Sequence, residues 1–204
     1  MGQSLWNIQE LIKKRRTVRQ YLKKPVTEQM IFDLIEIARW APSAHNAQPW
    51  RFVLIKNQDK RQLLVELMAE AWQKDMMKDG KSEDAIRLKL SQSKQRFLSS
   101  PVLLLACLTM EEMDCYPDPA RQAHEHTLAV QSLGAFLQTF LLAAFGQGLG
   151  SGWFCAPLFC QEIVKEVLAL PDDYLPQAFV TLGYPEEVPA APPRKKVDEI
   201  LIVR

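Results

Sequence analysis

The sequence predicts an α+β sandwich in which a small β-sheet is covered by helices. Amphipathic segments with helical spacing dominate the chain, and short β-type runs separate them. One of these runs, Val102–Leu108 (VLLLACL), is apolar throughout. An uninterrupted apolar run of this length is typical of a central strand that is buried on both faces. Helices are therefore expected on both sides of the sheet.

The composition predicts one globular domain over residues 1–204. Hydrophobic residues make up 48% of the chain and charged residues 24%, a balance that argues against disorder. With 25 basic and 24 acidic residues, the chain lacks the basic excess expected for binding nucleic acid or an anionic membrane. The N-terminal sequence MGQSLWNIQELIKKRR has no apolar signal core, so a cytoplasmic location is expected.

The first half of the chain alternates predicted helices with one predicted strand. Apolar spacing predicts helices over 4–14, 28–40, 60–72 and 85–98, and the run RFVLI predicts a strand over 51–55. Thr27 is a good N-cap for the second helix. The segment 73–84 is charged, and we expect it to be an exposed excursion that is mobile or acts as a lid.

The second half begins with a long apolar helix. The pattern predicts helices over 121–145 and 161–168, a short strand start at Trp153–Phe154, a strand over 178–182 and a β-type segment at Ile200–Val203. The uncharged stretch 127–161 contains glycines and polar residues, and its best apolar run is too short to span a membrane. We therefore expect a core or interface helix. The extended C-terminal arm, 185–204, could add its strand to a neighbouring subunit.

The segment RRTVRQY, residues 15–21, is a candidate anion site. If it is extended, Arg15, Thr17 and Arg19 share one face and Val18 turns the other way. Two guanidinium groups and a hydroxyl on one face suit a phosphate, which accepts forked, charge-assisted hydrogen bonds. The alternative is a solvated basic patch at the end of a helix, where cations favour the helix dipole.

A second basic segment, PPRKKV at 192–197, follows a rigid Pro-rich arm. Arg194 and Lys196 alternate around Lys195 and could bring more positive charge to the same anion. A solvated basic linker is the alternative interpretation. The glycines of GQGLGSG, 146–152, do not form a dinucleotide fingerprint, because a helix precedes them where that motif requires a strand. They predict a helix end and a close approach of backbone to a neighbouring helix or a ligand.

Several classes of catalytic site have no pattern in this chain. There is no G-x-S-x-G, no Walker lysine loop and no H-E-x-x-H. His124 and His126 are two residues apart, which points them to different faces of a helix, and the four cysteines form no C-x-x-C pair. We predict reduced thiols and no metal site.

The stretch ARWAPSAHNAQPWRFVLI crowds polar side chains into the connection between a predicted helix and a predicted strand. Together with RRTVRQY, GLGSGWFCAPLF, FVTLGYP and PPRKK, in this order, it resembles the FMN-dependent nitroreductase family. The resemblance covers about residues 12 to 197. It implies a three-layer α-β-α sandwich with a mostly antiparallel sheet, assembled as an intertwined homodimer with FMN at the subunit interface.

The resemblance also implies which residues bind the cofactor. The phosphate and ribityl chain would be held by Arg15, Arg16, Thr17 and Arg19, with Arg194 and Lys196 close to the phosphate. Residues from the other subunit would line the flavin ring, namely Pro42, Ser43, Ala44 and Asn46, with Gln48 supporting their loop. The backbone of Trp153, Phe154, Cys155 and Ala156 would pass the flavin near N5 and O4, and Gln92 would bind the pyrimidine ring.

The family's reaction is ping-pong hydride transfer. NAD(P)H reduces flavin N5, and a small organic acceptor, such as a nitroaromatic, quinone or enone-like compound, is then reduced at the same face. Two alternatives stay open: reduction of a dehydro-deazaflavin biosynthetic intermediate, which a subgroup resemblance suggests, and a non-catalytic flavin carrier or sensor. His45 is a candidate for the rim of the substrate pocket, or a plain surface or interface histidine.

Overall fold

The fold is a three-layer α-β-α sandwich, seen in a computed structural model that describes residues 7–204. Its helices are α1 (Ile8–Lys14), α2 (Glu28–Ala38), α3 (Gln58–Lys78), α4 (Glu83–Ser99), α5 (Pro119–Gly146) and α6 (Gln161–Leu168). Its strands are β1 (Trp50–Leu54), β2 (Val102–Leu108), β3 (Gly150–Phe154) and β4 (Leu175–Gly183). The start of the first predicted helix, residues 4–6, lies outside the described residues.

The four strands form one antiparallel sheet in the order β1-β2-β4-β3. All seven residues of β2 are buried, which confirms the prediction of a central strand covered on both faces. Alternate residues of β2 point to opposite faces of the sheet. Leu104 and Ala106 pack with α2 and α5, whereas Leu103, Leu105 and Cys107 pack with α3, α4 and α6. The predicted α+β sandwich is therefore confirmed.

The helix α5 forms the centre of one layer. By length and composition alone it could cross a membrane. Its inner face is instead buried against the sheet, where Phe136 packs on Trp50 with the ring centroids 4.9 Å apart. Core helices of globular proteins share this length and composition, so the packing agrees with the expected core helix.

Two predicted boundaries are wrong. The segment 73–84 is no separate excursion, because α3 continues to Lys78, Met76 is buried on it, and the chain turns only at Gly80, which has a φ of 70°. The stretch is mostly exposed, as expected, but it was taken to be irregular although Gln73–Lys78 contains no helix breaker. The strand β3 begins at Gly150 rather than at Trp153, so glycines of GQGLGSG belong to the sheet.

The C-terminal arm forms no strand within this chain. Residues 200–204 are irregular and exposed, after a short 3₁₀ turn at Val197–Glu199. The run Ile200–Val203 consists of four exposed apolar residues, and it pairs with none of the strands in the described part of the chain. Its addition to a partner's sheet stays a prediction.

A buried arginine joins α3 to the end of α4. Arg61 is 2% exposed and donates from Nε to Phe97 O (2.6 Å) and from Nη2 to Ser100 O and Oγ (2.7 Å each). Carbonyl groups at the end of a helix have no intrahelical donor, so the guanidinium satisfies them and favours the negative end of the helix dipole. Burial lowers the pKa of Arg61 to about 10, and the group stays charged at neutral pH.

We predict that Arg61→Met lowers the free energy of unfolding by about 2–4 kcal/mol, because buried carbonyl oxygens lose their only strong donor. Equilibrium unfolding in urea measures the change. Arg87→Met is the matched control, since Arg87 pairs with Asp84 at the exposed surface of α4 and should leave the midpoint unchanged. An Arg61→Met protein as stable as the control variant would contradict the role of this buried donor.

Candidate functional site

The arginine-rich segment lies in an extended conformation beside β3. Thr17 forms a parallel β-bridge with Ser151, and the backbone N–H of Val18 donates to Ser151 O at 2.9 Å. Val18 is buried, whereas Arg15 and Thr17 are half-buried and Arg19 is exposed. The alternation predicted for RRTVRQY is therefore present, with Val18 turned into the protein. Tyr21 ends the segment by donating a hydrogen bond to Val18 O at 2.9 Å.

The glycines of β3 make this close approach possible. A Cβ atom on Gly150 would lie 2.7 Å from Val18 Cγ2, and one on Gly152 would lie 2.9 Å from Val18 O. Neither distance is compatible with a normal van der Waals contact. The predicted close approach at GQGLGSG is therefore an approach to the arginine-rich segment, which only glycine allows at these two positions.

Positive charge is concentrated where this segment meets the C-terminal arm. Burial lowers the pKa of Arg15, and the charges of Arg16 and Arg194 lower it further. Arg16 donates to Lys13 O and Arg15 O, and Arg194 donates to carbonyls of the arm. No ion pair in the described part of the chain joins a carboxylate to these arginines. This half-buried, uncompensated charge favours an anion site over a solvated patch. The predicted site residue Lys196 lies two residues beyond Arg194 and is exposed.

A second pair of guanidinium groups surrounds Phe154, at the end of β3. The Cζ atoms of Arg96 and Arg19 lie 4.7 and 5.9 Å from the centre of the Phe154 ring. Nε of Arg96 is buried and has no hydrogen-bond partner among the described residues. Burial and the charge of Arg19 lower the pKa of Arg96. An unsatisfied buried donor of this kind is costly, and it indicates a missing acceptor.

Arg96 was missed by the sequence analysis, which proposed Gln92 instead. The two residues are one turn apart on α4, so they share a helix face, but Gln92 is exposed. The sequence signal that could have identified Arg96 is its position one turn after Gln92 on the same face of α4.

A cavity of about 660 Å³ opens beside the end of β3. Its wall includes Trp153–Ala156, the segment predicted to pass the flavin, and Arg96. The rest of the wall comes mainly from α3 and from the turn after β3, including Trp72, Asp75, Asp79 and Phe159. A larger cleft of about 960 Å³ between the ends of α3 and α4 contains none of the predicted site residues. The cavity beside β3 is therefore the candidate site.

The loop that carries Pro42, Ser43, Ala44 and Asn46 is held in an unusual conformation. Ser43 Oγ accepts a hydrogen bond from Gln48 N at 3.1 Å, so Gln48 supports the loop through its backbone. His45, Asn46 and Gln48 have φ values of 56°, 53° and 48°. Three non-glycine residues in the left-handed region within one short loop represent stored strain, which the surrounding structure must stabilise.

The core anchors this strained loop. Ala44 N donates to Ser132 Oγ on α5 at 3.1 Å, and Pro49 O accepts from Thr109 N at 2.8 Å. Pro49 and Trp50 are buried, whereas Pro42, His45 and Asn46 are exposed. The loop therefore presents the side chains of Pro42 and Asn46 outward from a fixed base.

The two groups of predicted site residues lie at diagonally opposite corners of the sheet. The arginine-rich segment pairs with the start of β3, which is beside the end of β4 and the start of β2. The loop 41–49 enters the start of β1, beside the end of β2. Because β1 and β3 are the two edges, three strand spacings of about 4.8 Å each separate them across the sheet. One chain does not bring the two groups together.

Comparison with known proteins identifies the relatives of this chain. A model of the nitroreductase family matches residues 12–184. The chain is 25% identical over 190 residues to a Bacillus subtilis protein named as the NAD(P)H nitroreductase YfhC, with 93% of this chain and 90% of the relative covered. A BluB-like flavoprotein from Clostridium difficile superimposes with a TM-score of 0.79 at 28% identity, covering 98% of this chain and 99% of the other.

A solved nitroreductase in complex with FMN, from Desulfovibrio desulfuricans, has the same fold. Its TM-score is 0.73 at 23% identity, and the alignment covers 98% of each chain. The family match and these relatives support FMN and NAD(P)H as cofactors.

We predict that Gly150→Ala lowers the free energy of unfolding by about 1–3 kcal/mol, because the new methyl group overlaps Val18 and forces the arginine-rich segment away from β3. Thermal or urea unfolding measures the loss. Gly146→Ala is the control, since a Cβ there would lie 3.6 Å from Leu11 Cδ2, an ordinary contact. Equal stability of the two variants would contradict the packing described for β3.

Proposed function

The chain belongs to the nitroreductase family, and we propose on that premise that it is an FMN-dependent oxidoreductase. It would transfer hydride from NAD(P)H through flavin N5 to a small organic acceptor in a ping-pong cycle. The observation that carries the proposal is the charge arrangement along β3. Uncompensated guanidinium groups lie at its start, an unpartnered guanidinium nitrogen lies at its end, and a cavity lies beside it.

The start of β3 fits a phosphate monoester. The charges of Arg16 and Arg194 are close enough to lower the pKa of Arg15. No carboxylate among the described residues is paired with any of these three arginines. A phosphate would offset this mutual repulsion and accept charge-assisted hydrogen bonds. We assign the phosphate to these residues together with Thr17, and we place Lys196 at the outer edge of the same charge cluster.

The end of β3 fits the ring of a flavin. Arg96 is close to Arg19 and has a buried nitrogen that lacks an acceptor. A guanidinium in this position would donate to a carbonyl of the pyrimidine edge and stabilise negative charge there. We therefore assign the pyrimidine contact to Arg96, in place of Gln92, and the contact near N5 and O4 to the backbone of Trp153–Ala156.

When bound, FMN supplies the hydride chemistry, and the protein supplies position and electrostatics. This division of labour explains why no nucleophile or acid–base pair is needed among the assigned residues. The cavity beside Trp153–Ala156 is one space for both substrates, as a ping-pong cycle requires. Trp72 and Phe159 provide apolar surface for a planar acceptor, and Asp75 lies on the same wall.

We propose that two subunits form each site. The loop with Pro42, Ser43, Ala44 and Asn46 lies at the far corner of its own sheet from Arg15, so a second copy is needed to bring these side chains to the same flavin. Exposed apolar residues support an extensive interface. Trp40 is 81% exposed and Phe159 85% exposed in the single chain, and the apolar tail Ile200–Val203 is exposed as well.

The choice of acceptor depends on the cavity wall, which has no motif specific to one compound. Nitroaromatic, quinone and enone-like compounds are the proposed acceptors, and a dehydro-deazaflavin intermediate is the narrower alternative. A non-catalytic flavin carrier or sensor would not need open volume beside the ring, so the cavity favours turnover. A cytoplasmic location, where NAD(P)H is available, belongs to the same proposal.

Paired affinities for FMN and riboflavin test the two assigned halves separately. We predict that Arg15→Gln weakens FMN binding at least about tenfold and leaves riboflavin binding unchanged, because riboflavin lacks the phosphate. Arg96→Gln should weaken both ligands to a similar extent, because its contact is with the ring. Flavin fluorescence titration of the purified protein gives all of these affinities.

Lys13→Gln is the matched control, since Lys13 is exposed on the preceding helix and outside the charge cluster. Its affinities for both flavins should equal those of the unmodified protein. A protein that binds no FMN after reconstitution would refute the proposed function. Equal losses for FMN and riboflavin in Arg15→Gln would instead refute the assignment of the phosphate.

A further inference from the structure

Three potential metal ligands lie close together beside the strained loop, and none of them is assigned to FMN. His45 lies in that loop, Asp114 lies in the connection between β2 and α5, and Glu125 lies in the second turn of α5. One ligand atom from each residue lies within 4.8 Å of the other two. These residues come from three separate segments and match no ligand spacing, so the sequence predicts no metal site.

Glu125 is the central member of this cluster, and among the described residues His45 is its only close basic partner. Its side chain is 6% exposed. Its Oε2 atom is buried and accepts no hydrogen bond from the described residues. That oxygen lies 3.3 Å from His45 Nε2, a separation at which the two atoms are close but do not have hydrogen-bond geometry. A buried carboxylate without a donor or a cation is strongly disfavoured.

Two arginines of the adjoining segments are engaged with other partners. Arg121, on the preceding turn of α5, is paired with Asp118. Arg51 is 3.9 Å from Glu111 and donates to backbone carbonyls of the loop. Asp114 adds a second carboxylate, 3.9 Å from His45 Nε2. The cluster therefore combines two carboxylates and one imidazole within reach of a single ion.

We propose that His45, Asp114 and Glu125 bind a divalent transition-metal ion of the Zn²⁺ class. One imidazole and two carboxylates are a ligand set suited to Zn²⁺, with bonds of about 2.0–2.2 Å. In a tetrahedral site with such bonds, neighbouring ligand atoms are about 3.3–3.6 Å apart. The separation of 3.3 Å between His45 Nε2 and Glu125 Oε2 meets this requirement, and the exposed Asp114 side chain needs only a small rotation to close the remaining gap.

The position of the site indicates what the ion does. It joins the strained loop to α5 and to the connection after β2, next to the hydrogen bond between Ala44 N and Ser132 Oγ. The side chains of His45 and Asp114 are 43% and 58% exposed, so the fourth ligand position faces solvent and is available to water. The ion would hold in place the loop that carries Ser43 and Asn46, and it would take no electrons in the proposed reaction.

Zinc binding by the FMN-loaded protein tests this proposal. We predict that isothermal titration with Zn²⁺ reveals one saturable site per chain. Glu125→Gln and His45→Asn should each weaken it at least about tenfold, because each removes one of three protein ligands. The melting temperature of the unmodified protein should rise when Zn²⁺ is added, since a ligand that binds only the folded state stabilises it. The rise should be absent in both variants.

His126→Asn is the matched control. His126 is exposed beside Glu125 on the same helix and lies outside the cluster, so its loss should leave the affinity for Zn²⁺ unchanged. If Glu125→Gln fails to fold, Asp114→Asn provides the same test from an exposed position. No saturable binding by the unmodified protein, or equal affinity in the His126 and His45 variants, would overturn the proposal.

Discussion

The contact between Val18 and the glycines of β3 is the constraint on which the candidate site depends. It fixes the arginine-rich segment as an added edge beside β3, because Val18 fills the space that a side chain at Gly150 would need. The alternation of an extended chain then turns Arg15 and Thr17 away from the core. A buried valine and two glycines therefore determine where the positive charge is concentrated.

The same arrangement separates the site into two parts. Basic groups lie along one edge of the sheet, from Arg15 at the start of β3 to Arg96 at its end. The strained loop lies at the other edge, supported by Ser132 of α5 and by the core residues around Trp50. In the proposed two-subunit site, stored strain in the loop would have a structural reason, since a rigid loop would lose little entropy when it contributes to a site on another chain.

Much of the fold could be predicted because its signals are local. The run VLLLACL predicts a doubly covered strand, and the apolar periodicity of α2, α5 and α6 predicts helices close to their observed bounds. The predicted extent of α3 was wrong because an exposed, charged stretch was taken to be irregular, although one buried residue, Met76, is enough to hold the helix against its neighbour. The start of β3 was missed because glycine has low intrinsic strand preference, and only the distant Val18 explains its presence there.

The same distinction applies to the site. Arg15, Thr17 and Arg19 form a pattern within one segment, so their shared face could be predicted. Arg96 and the cluster of His45, Asp114 and Glu125 could not, because tertiary packing alone brings these residues to their partners.

Mixed dimers test whether each flavin site is completed by two chains. Homodimers of Arg15→Gln and of Asn46→Ala each carry two damaged sites. If each site combines Arg15 of one chain with Asn46 of the other, a purified mixed dimer contains one intact site and one doubly damaged site. We expect this mixed dimer to bind one FMN with the affinity of the unmodified protein. A mixed dimer with two weakened sites would place both residues on the same flavin from one chain and would rule out a site shared between subunits.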